Sequence, residues 1–274
     1  MARTDTLINF LTDVAAAIRA KKGDSTLIPA ADFDTEIANL PSGDDSMLIS
    51  LIDRTATSFE IPEGTTSIGA YAFAYCLSLA SIIIPDSVTS IGEGAFALCE
   101  SLTSITIPDS VTSIEDSAFY GCTGLTSVTI GNSVTSIVGY VFYGCTGLTS
   151  ITIPDSVTSI DDGVFAHCTS LTSVIIGNGV TSIGNAVFSG CTGLTSITIP
   201  NSVTSIDSYA FEDCTNLTEI DFSTHNAVPT LADTSAFSNT SASLVIKVPS
   251  ALVDEWKAAT NWATYADKIV GVLL

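Results

Sequence analysis

The chain has 274 residues, of which 46 % are hydrophobic and 14 % are charged, so it is neither a disordered nor a highly charged polypeptide. Its 29 acidic residues outnumber 8 basic ones, which gives a formal net charge of −21. No Lys or Arg lies between Arg54 and Lys247, and nucleic acids and anionic lipids both require clustered positive charge, so neither is an expected partner.

Residues 1–45 are predicted to form a small helical module. Five apolar side chains recur at i, i+3, i+4, i+7 and i+11, which is the spacing of one face of a helix. They are Leu7, Phe10, Leu11, Val14 and Ile18. A second helix is predicted near residues 30–40, and residues 46–56 are predicted to be a linker and an N-terminal cap for the residues after them.

The same N-terminal stretch is not predicted to be an export signal. Asp5 and Asp13 interrupt its apolar side chains, and its basic residues follow the apolar stretch instead of preceding it. No run of about 18 apolar residues occurs in the sequence, so no membrane insertion is expected. The interpretation is a protein made and folded in a cytoplasm.

Residues 57–222 contain seven copies of a 23-residue repeat. The cysteines at 76, 99, 122, 145, 168, 191 and 214 keep this step without a slip, and so do one Phe, one Ile and one Leu of every copy. A fixed period of this length predicts a solenoid, in which each copy forms one turn of the chain and packs on the next.

One copy, LTSITIPDSVTSIEDSAFYGCTG at 102–124, shows how such a turn is built. Leu102, Ile105 and Ile107 alternate with polar residues, which predicts a half-buried strand. Residues 108–110 predict a turn, and residues 111–114 a second short extended segment. Residues 118–122, with apolar side chains at i, i+1 and i+4, predict one helical or 3₁₀ turn. Stacked copies would align these apolar side chains in a continuous core.

The sequence LTSITIPDSVTSI (102–114), joined in register to GEGAFALC (92–99), resembles the leucine-rich repeat of the BspA-like class, which occurs in bacterial surface adhesins and in phage proteins of gut bacteria. The resemblance implies an α/β repeat solenoid, right-handed and curved, with short parallel strands in a sheet on one side, that serves binding and not catalysis. A second sequence, AIRAKKGDSTLIPAADFDTEIANL (17–40), resembles a short N-terminal module of phage and prophage structural proteins. It implies that residues 1–45 anchor the chain to other virion proteins.

Two columns, meaning sets of residues at the same position of successive repeats, carry reactive or metal-binding groups. Stacked cysteines would lie about 5 Å apart, within disulfide range, but pairing would distort the stack and leave one cysteine over. Their spacing fits no four-ligand metal site, and we interpret them as small buried apolar residues with reduced thiols. The Asp/Asn column that contains Asp109 is interpreted as turn residues that bond to their own backbone, with a shared calcium site as the alternative.

Residues 223–274 lose the 23-residue register and are predicted to form a C-terminal strand-helix cap. LVIKVP (244–249) predicts a last strand, and residues 250–272 predict a helix, a break near Asn261 and a second helical piece. Trp256, Trp262 and Tyr265 would cover the apolar end of the solenoid, which a repeat stack cannot leave open.

Two exposed surfaces are candidate binding sites. The sheet face is an almost uniform Ser-x-Thr array interrupted by Ile83 and Ile175, and it could bind a lattice such as ice or a polysaccharide, or be an ordinary solvated sheet. The second surface is the edge between the repeated Ile and Cys, where the copies differ. Its projecting side chains are Tyr120, Tyr140, Tyr143, His167 and Tyr209. Tyr makes effective contacts at low entropic cost, so this edge is the candidate partner-binding site, with unselected variation at exposed positions as the alternative.

No catalytic group is predicted. The two histidines, His167 and His225, have no partner in register with which to form a triad or a metal cluster, and no cofactor is expected. The sequence therefore predicts a non-enzymatic virion protein of a phage or prophage, assembled in a host cytoplasm, whose solenoid contacts a bacterial surface protein or glycan. The alternative is a bacterial cell-surface adhesin of the same repeat class, and a decorating role without a receptor is left open. The helix that contains Leu7 could also join copies of the chain, so a homo-oligomer is left open.

Overall fold

The computed structural model describes residues 54–273, so the predicted N-terminal module, with Leu7, Phe10, Leu11, Val14 and Ile18, lies outside the described residues. In the described part each 23-residue repeat forms one coil of a solenoid with two short strands, and neighbouring strands pair in parallel. The predicted solenoid of short parallel strands is confirmed.

Two rows of strands run the length of the stack. The first row consists of β1 (Ser58–Glu60), β3 (Ser81–Ile83), β5 (Ser104–Thr106), β7 (Ser127–Thr129), β9 (Ser150–Ile153), β11 (Ser173–Ile176), β13 (Ser196–Thr198), β15 (Glu219–Asp221), β17 (Val245–Pro249) and β18 (Ile269–Val272). The second row consists of β2 (Ser67–Ile68), β4 (Ser90–Ile91), β6 (Ser113–Ile114), β8 (Ser136–Ile137), β10 (Ser159–Ile160), β12 (Ser182–Ile183), β14 (Ser205–Ile206) and β16 (Thr230–Leu231). The second row is one eight-stranded sheet, whereas the first is divided into sheets of two, four and four strands.

The core lies between the two rows and is made of identical side chains stacked on one another. In the first-row strands the middle residue is buried and its neighbours are exposed, as in β5 and β7, because side chains alternate between the faces of a strand. A column of phenylalanines fills the interior, with ring centroids 5.1–5.6 Å apart from one coil to the next. The column comprises Phe73, Phe96, Phe119, Phe142, Phe165, Phe188, Phe211 and Phe237. Near-parallel rings at this separation are offset-stacked, which adds to the gain from burying them.

The segment between the second strand and the cysteine is not the helical or 3₁₀ turn that was predicted. The amides of alternate residues, Ser117, Phe119 and Gly121, donate to carbonyls of the next coil at 2.8–3.0 Å. The intervening amides donate to the carbonyl three residues earlier at 2.9–3.3 Å. Ser117 and Gly121 have φ of 57° and 66°, which no right-handed helix contains. The prediction was wrong because half of the amides that a helix would use inside the segment bind the neighbouring coil instead.

The cysteine column is buried in the core, as predicted, and its thiols also have a role that the sequence did not reveal. Each thiol from Cys99 to Cys214 donates a hydrogen bond to the carbonyl of the Phe 26 residues earlier, at 3.0–3.3 Å. The seven cysteines are free. Burial raises the pKa of the Cys122, Cys168 and Cys214 thiols to about 12. The protonated thiol is therefore the donor that satisfies a second lone pair on a buried carbonyl.

The Asp/Asn column joins neighbouring coils instead of closing its own turns. The Oδ1 atom of Asp109 accepts the backbone N–H of Asn132, one coil further on, at 2.7 Å. Asp155 does the same for Asn178 at 2.7 Å. The interpretation as a self-bonding turn residue was wrong, because at one strand spacing the next coil presents an amide that these carboxylates bind.

The stacking does not stop at Phe222, where the 23-residue step is lost. Phe237 stacks on Phe211 with ring centroids 5.6 Å apart, and Leu231 pairs in register with Ile206. The predicted strand at 244–249 is present as β17. It is not the last strand, because β18 follows it and forms the edge of the same sheet.

A short helical segment and two tryptophans cover the C-terminal end of the core. A 3₁₀ turn (Ser250–Leu252) leads into the helix α1 (Val253–Ala258), and a second 3₁₀ turn follows (Trp262–Tyr265). Asn261, at the predicted break, has a φ of 66°. Trp256 and Trp262 are fully buried with ring centroids 4.7 Å apart, and Trp256 packs on Phe222. The predicted strand-helix cap is confirmed.

The buried thiols predict that the protein loses stability above about pH 9. In the unfolded chain the thiols ionise near their usual pKa of 9.0, whereas Cys168 stays protonated in the folded chain up to about 12. Ionisation between these values therefore favours the unfolded state, by up to about 1.4 kcal/mol per pH unit for each thiol.

The test is urea denaturation from pH 7 to pH 11 of the wild-type protein and of Cys168→Ala. The difference in unfolding free energy between the two should shrink as the pH rises above 9, because the variant has lost one of the titrating groups. A difference that stays constant from pH 8 to pH 11 would contradict the assignment of Cys168 as a protonated donor.

Candidate functional site

The candidate site is built on the segment between the second-row strand and the cysteine of each coil, here called the turn edge. Two residues of every turn edge have positive φ, the third and the seventh after the buried Ile, as Ser117 and Gly121 do after Ile114. Because L residues disfavour this conformation, glycine is the expected occupant. Several coils nevertheless place a large side chain there, including Tyr140 and His167 with φ of 57° and 60°.

Four of the five predicted site residues form one aromatic cluster, defined as Tyr120, Tyr140, Tyr143 and His167. The Tyr120 and Tyr143 rings stack at 5.0 Å between centroids with 1° between their planes. Tyr143 also meets Tyr140 edge-on at 5.9 Å and His167 edge-on at 5.2 Å. Tyr120 and Tyr140 remain 37 % and 44 % exposed, so the cluster is both ordered by its own contacts and open to solvent.

Glycines in the following coil let two of these rings lie close to the backbone. A methyl group at Gly163 would lie 2.6 Å from Cε1 of Tyr140, and one at Gly190 would lie 2.5 Å from Nδ1 of His167. These glycines leave room for the ring of the preceding coil to lie across the backbone. The ring at a positive-φ position therefore covers the backbone of the next coil with one face.

Tyr209, the fifth predicted residue, lies away from the cluster but on the same edge. It is the third residue after Ile206, as Tyr140 is after Ile137, with a φ of 60° and 43 % of its side chain exposed. Tyr71 has the same position after Ile68, with a φ of 57°, and sequence analysis missed it. The signal was available in the sequence, because Tyr71, Tyr140 and Tyr209 are spaced by equal steps.

A groove of about 590 Å³ lies beside the turn edge. It runs along the solenoid over the ends of β10, β12, β14 and β16. Its lining residues are Asp116, Gly139, Tyr140, Ile160, Asp161, Asp162, Ser182, Ile183, Gly184, Ser205, Ile206, Asp207, Thr230 and Ala232. The lining combines the carboxylates of four aspartates and the hydroxyls of two serines and a threonine with apolar side chains, and none of the lining residues is basic.

The sheet face of the first row is exposed but interrupted. Ser104 and Thr106 are exposed on either side of a buried Ile, as the Ser-x-Thr pattern predicts. Ile83 and Ile175 are each 59 % exposed on this face. The row is divided into separate sheets directly after β3 and after β11, the two strands that carry these isoleucines. The two isoleucines therefore interrupt the regular Ser-x-Thr array that a lattice-binding face would require.

Within residues 54–273, no group of three or more His, Cys, Asp or Glu residues is arranged to hold a metal ion. Among the helices of the same range, none is long and apolar enough to cross a membrane.

A family model matches most of the chain. Residues 53–171 and 135–254 match the model described as BspA type Leucine rich repeat region (6 copies). No curated protein sequence gives a significant match to the chain.

Several solved structures are similar to the chain at low sequence identity. A leucine rich cell surface protein from Faecalibacterium prausnitzii A2-165 is 29 % identical over 82 % of this chain, with a TM-score of 0.46. A leucine-rich repeat protein from Bacteroides ovatus is 28 % identical over 79 % of this chain, with a TM-score of 0.43. The match spans 66 % of each of those two proteins. The leucine-rich repeat protein of T. pallidum is 22 % identical, covering 80 % of this chain and 87 % of that one, with a TM-score of 0.46.

Proposed function

The chain belongs to the BspA-type leucine-rich repeat family, and on this basis we propose that it is a non-enzymatic binding protein whose turn edge contacts a protein or glycan at a bacterial surface. The solenoid supplies a rigid frame in which every coil is fixed by its neighbours. Binding specificity then depends on the few side chains that differ between coils, and these lie on the turn edge.

The aromatic cluster is the observation that supports this proposal most strongly. Tyr120, Tyr140, Tyr143 and His167 touch one another and are partly exposed. Rings already held in place lose little conformational entropy when a partner binds. Aromatic side chains are also the residues that most often dominate the energy of an interface. A surface that brings three tyrosines and a histidine into contact is thus suited to binding at that place.

We propose that the protein is located at a bacterial cell surface, because its repeat resembles that of bacterial surface adhesins. The second candidate location is a phage or prophage virion. It is supported by the sequence of residues 17–40, which resembles an anchoring module of virion proteins and lies outside the described residues. In that case residues 1–45 would bind other virion proteins, and the solenoid would still present its turn edge outward.

Immunogold electron microscopy with an antibody against the solenoid separates these two locations. Labelling of intact cell walls in a culture of the producing bacterium is the expected result for a surface protein. Labelling confined to phage particles in lysates would instead establish the virion location.

Replacement of Tyr120, Tyr140 and Tyr143 by Ala together should weaken binding to bacterial cells at least about tenfold, because hot-spot aromatics each contribute about 2 kcal/mol or more. Binding is measured by flow cytometry with labelled protein and on a glycan array.

The matched control replaces Thr106, Thr129 and Thr152, which lie on the sheet face, by Ala and should bind as the wild type does. Thermal unfolding of both variants verifies that the solenoid is intact. Unchanged binding by the tyrosine variant would contradict the proposal, and a selective loss in the threonine variant would assign binding to the sheet face.

A further inference from the structure

We propose that His225 is a pH-sensitive latch for residues 253–265, here called the tryptophan cap, which comprise α1 and the second 3₁₀ turn. Protonation of the buried imidazole in mildly acidic solution releases the tryptophan cap and uncovers the apolar end of the core. The inference goes beyond the proposed function and does not depend on it. It rests on the position of His225, on the groups around its ring and on the two tryptophans that the ring helps to hold.

His225 occupies a buried position that the other coils fill with Pro or Gly. The amide of Asn226 donates to Oδ1 of Asn201 at 3.0 Å, so Asn226 continues the Asp/Asn column. The residue before each earlier member of that column is Pro or Gly, as Pro108 is before Asp109. His225 thus places an ionisable ring where the repeat has none, and only 5 % of this residue is exposed.

The imidazole lies between the coils of the solenoid and the tryptophan cap. Its Nε2 atom is 3.3 Å from the carbonyl oxygen of Val203, 22 residues earlier. Its ring centroid is 5.1 Å from that of Phe222 and 6.2 Å from that of Trp256. Trp256 is fully buried and packs on Phe222 and Trp262. The ring therefore contacts both the core and the segment that covers it.

The second nitrogen of the ring makes protonation costly. Within residues 54–273, Nδ1 of His225 has no hydrogen-bond partner, and neither has Nε1 of Trp256. Because the Val203 carbonyl only accepts, Nε2 carries the proton of the neutral ring and Nδ1 carries its lone pair. A second proton would place an unpaired donor and a full charge among aromatic rings, away from solvent. The closed tryptophan cap therefore favours the neutral ring.

Neighbouring groups offset this cost only in part. Burial lowers the pKa of His225 from its usual value of 6.5. It outweighs the carbonyls of Val203 and Phe222 and the carboxylate of Asp221, which favour the charged ring. The Phe222 carbonyl already accepts the backbone amide of His225 at 2.9 Å. The charged residues of α1 flank Trp256 in sequence and are exposed; they are Asp254, Glu255 and Lys257.

Closure of the tryptophan cap therefore depends on pH. When the cap is open, the imidazole is in water and binds a proton near pH 6.5, whereas the closed cap keeps it neutral to a lower pH. The contribution of the neutral ring to closure is complete above pH 6.5 and is lost as the pH falls below it. The ratio of open to closed cap should rise by up to about tenfold for each pH unit between 6.5 and the lower pKa of the closed state.

The chain carries its own probes for the test. Its two tryptophans, Trp256 and Trp262, both lie in the tryptophan cap, so their fluorescence follows the cap while circular dichroism follows the strands of the solenoid. Urea denaturation of the full chain is recorded by both signals at pH 7.5 and pH 5.5, where carboxylates with a pKa of about 4 remain mostly ionised. At pH 5.5 the fluorescence midpoint of the wild type should fall, by up to about tenfold in the opening equilibrium, and precede the circular dichroism midpoint.

Three variants assign the effect to one ring. His225→Gln keeps a donor for the Val203 carbonyl but does not titrate, so its fluorescence midpoint should be the same at both pH values. His225→Phe replaces the imidazole by an apolar ring and should behave in the same way. His167→Gln is the matched control, since it removes the other histidine of the chain, and it should respond to pH as the wild type does. Each protein is compared with itself at the two pH values, so a general loss of stability in a variant does not alter the result.

The proposal is overturned if the wild-type fluorescence midpoint does not change, or if it falls equally in His225→Gln or His225→Phe. It is also overturned if fluorescence and circular dichroism shift together, because protonation would then act on the whole solenoid. His167→Gln leaves His225 as the sole histidine, so its NMR titration reads the imidazole directly. A midpoint below pH 6.5 is expected, and one at or above 6.5 would contradict the latch.

Discussion

The hydrogen bonds that cross from one coil to the next are the constraint on which the rest of the structure depends. Amides of the strands, of alternate turn-edge residues and of the Asp/Asn column all donate to the neighbouring coil. Such bonds are satisfied where each coil follows the path of the one before, and the C-terminal coil keeps them although Phe237 follows Phe211 by 26 residues. In the repeat region a constant period of 23 residues lets every coil make the same bonds, and the identity of the core residues follows from it, because each side chain then lies against its own copy.

The same constraint explains why positive φ and large side chains occur together on the turn edge. A segment whose amides alternate between its own turn and the next coil must reverse direction twice, at positions such as Ser117 and Gly121. A side chain at these positions leans over the following coil. Where that coil has glycine, as beneath Tyr140, a ring fits against the backbone. A tyrosine in this conformation is strained by about 1–2 kcal/mol. The tyrosine is present despite this strain, although its ring lies on the surface and contributes nothing to the core.

Most of the core could be predicted from the sequence, because the alternation around Ile105 and the fixed step of Phe119 and Cys122 are properties of the sequence alone. The conformation of the turn edge could not be predicted, since apolar residues at 118, 119 and 122 fit a helical turn equally well. Only the hydrogen-bond acceptors of the backbone amides distinguish a helical turn from the observed conformation. The thiol donors were missed for a similar reason: the acceptor, a carbonyl 26 residues earlier, leaves no trace in sequence. The four residues of the aromatic cluster were predicted as projecting side chains from the differences between repeats, but their contacts with one another required the coil geometry.

The most direct test of the stacking account is to delete one complete coil. Removal of residues 122–144 joins Gly121 to Cys145, which continues the repeat in register, whereas removal of residues 122–133 breaks the register by about half a coil. The first variant should unfold cooperatively in urea, with a circular dichroism spectrum like that of the wild type and a lower midpoint. The second should lose the cooperative transition. Equal stability of the two deletion variants would contradict the claim that register between coils determines the fold.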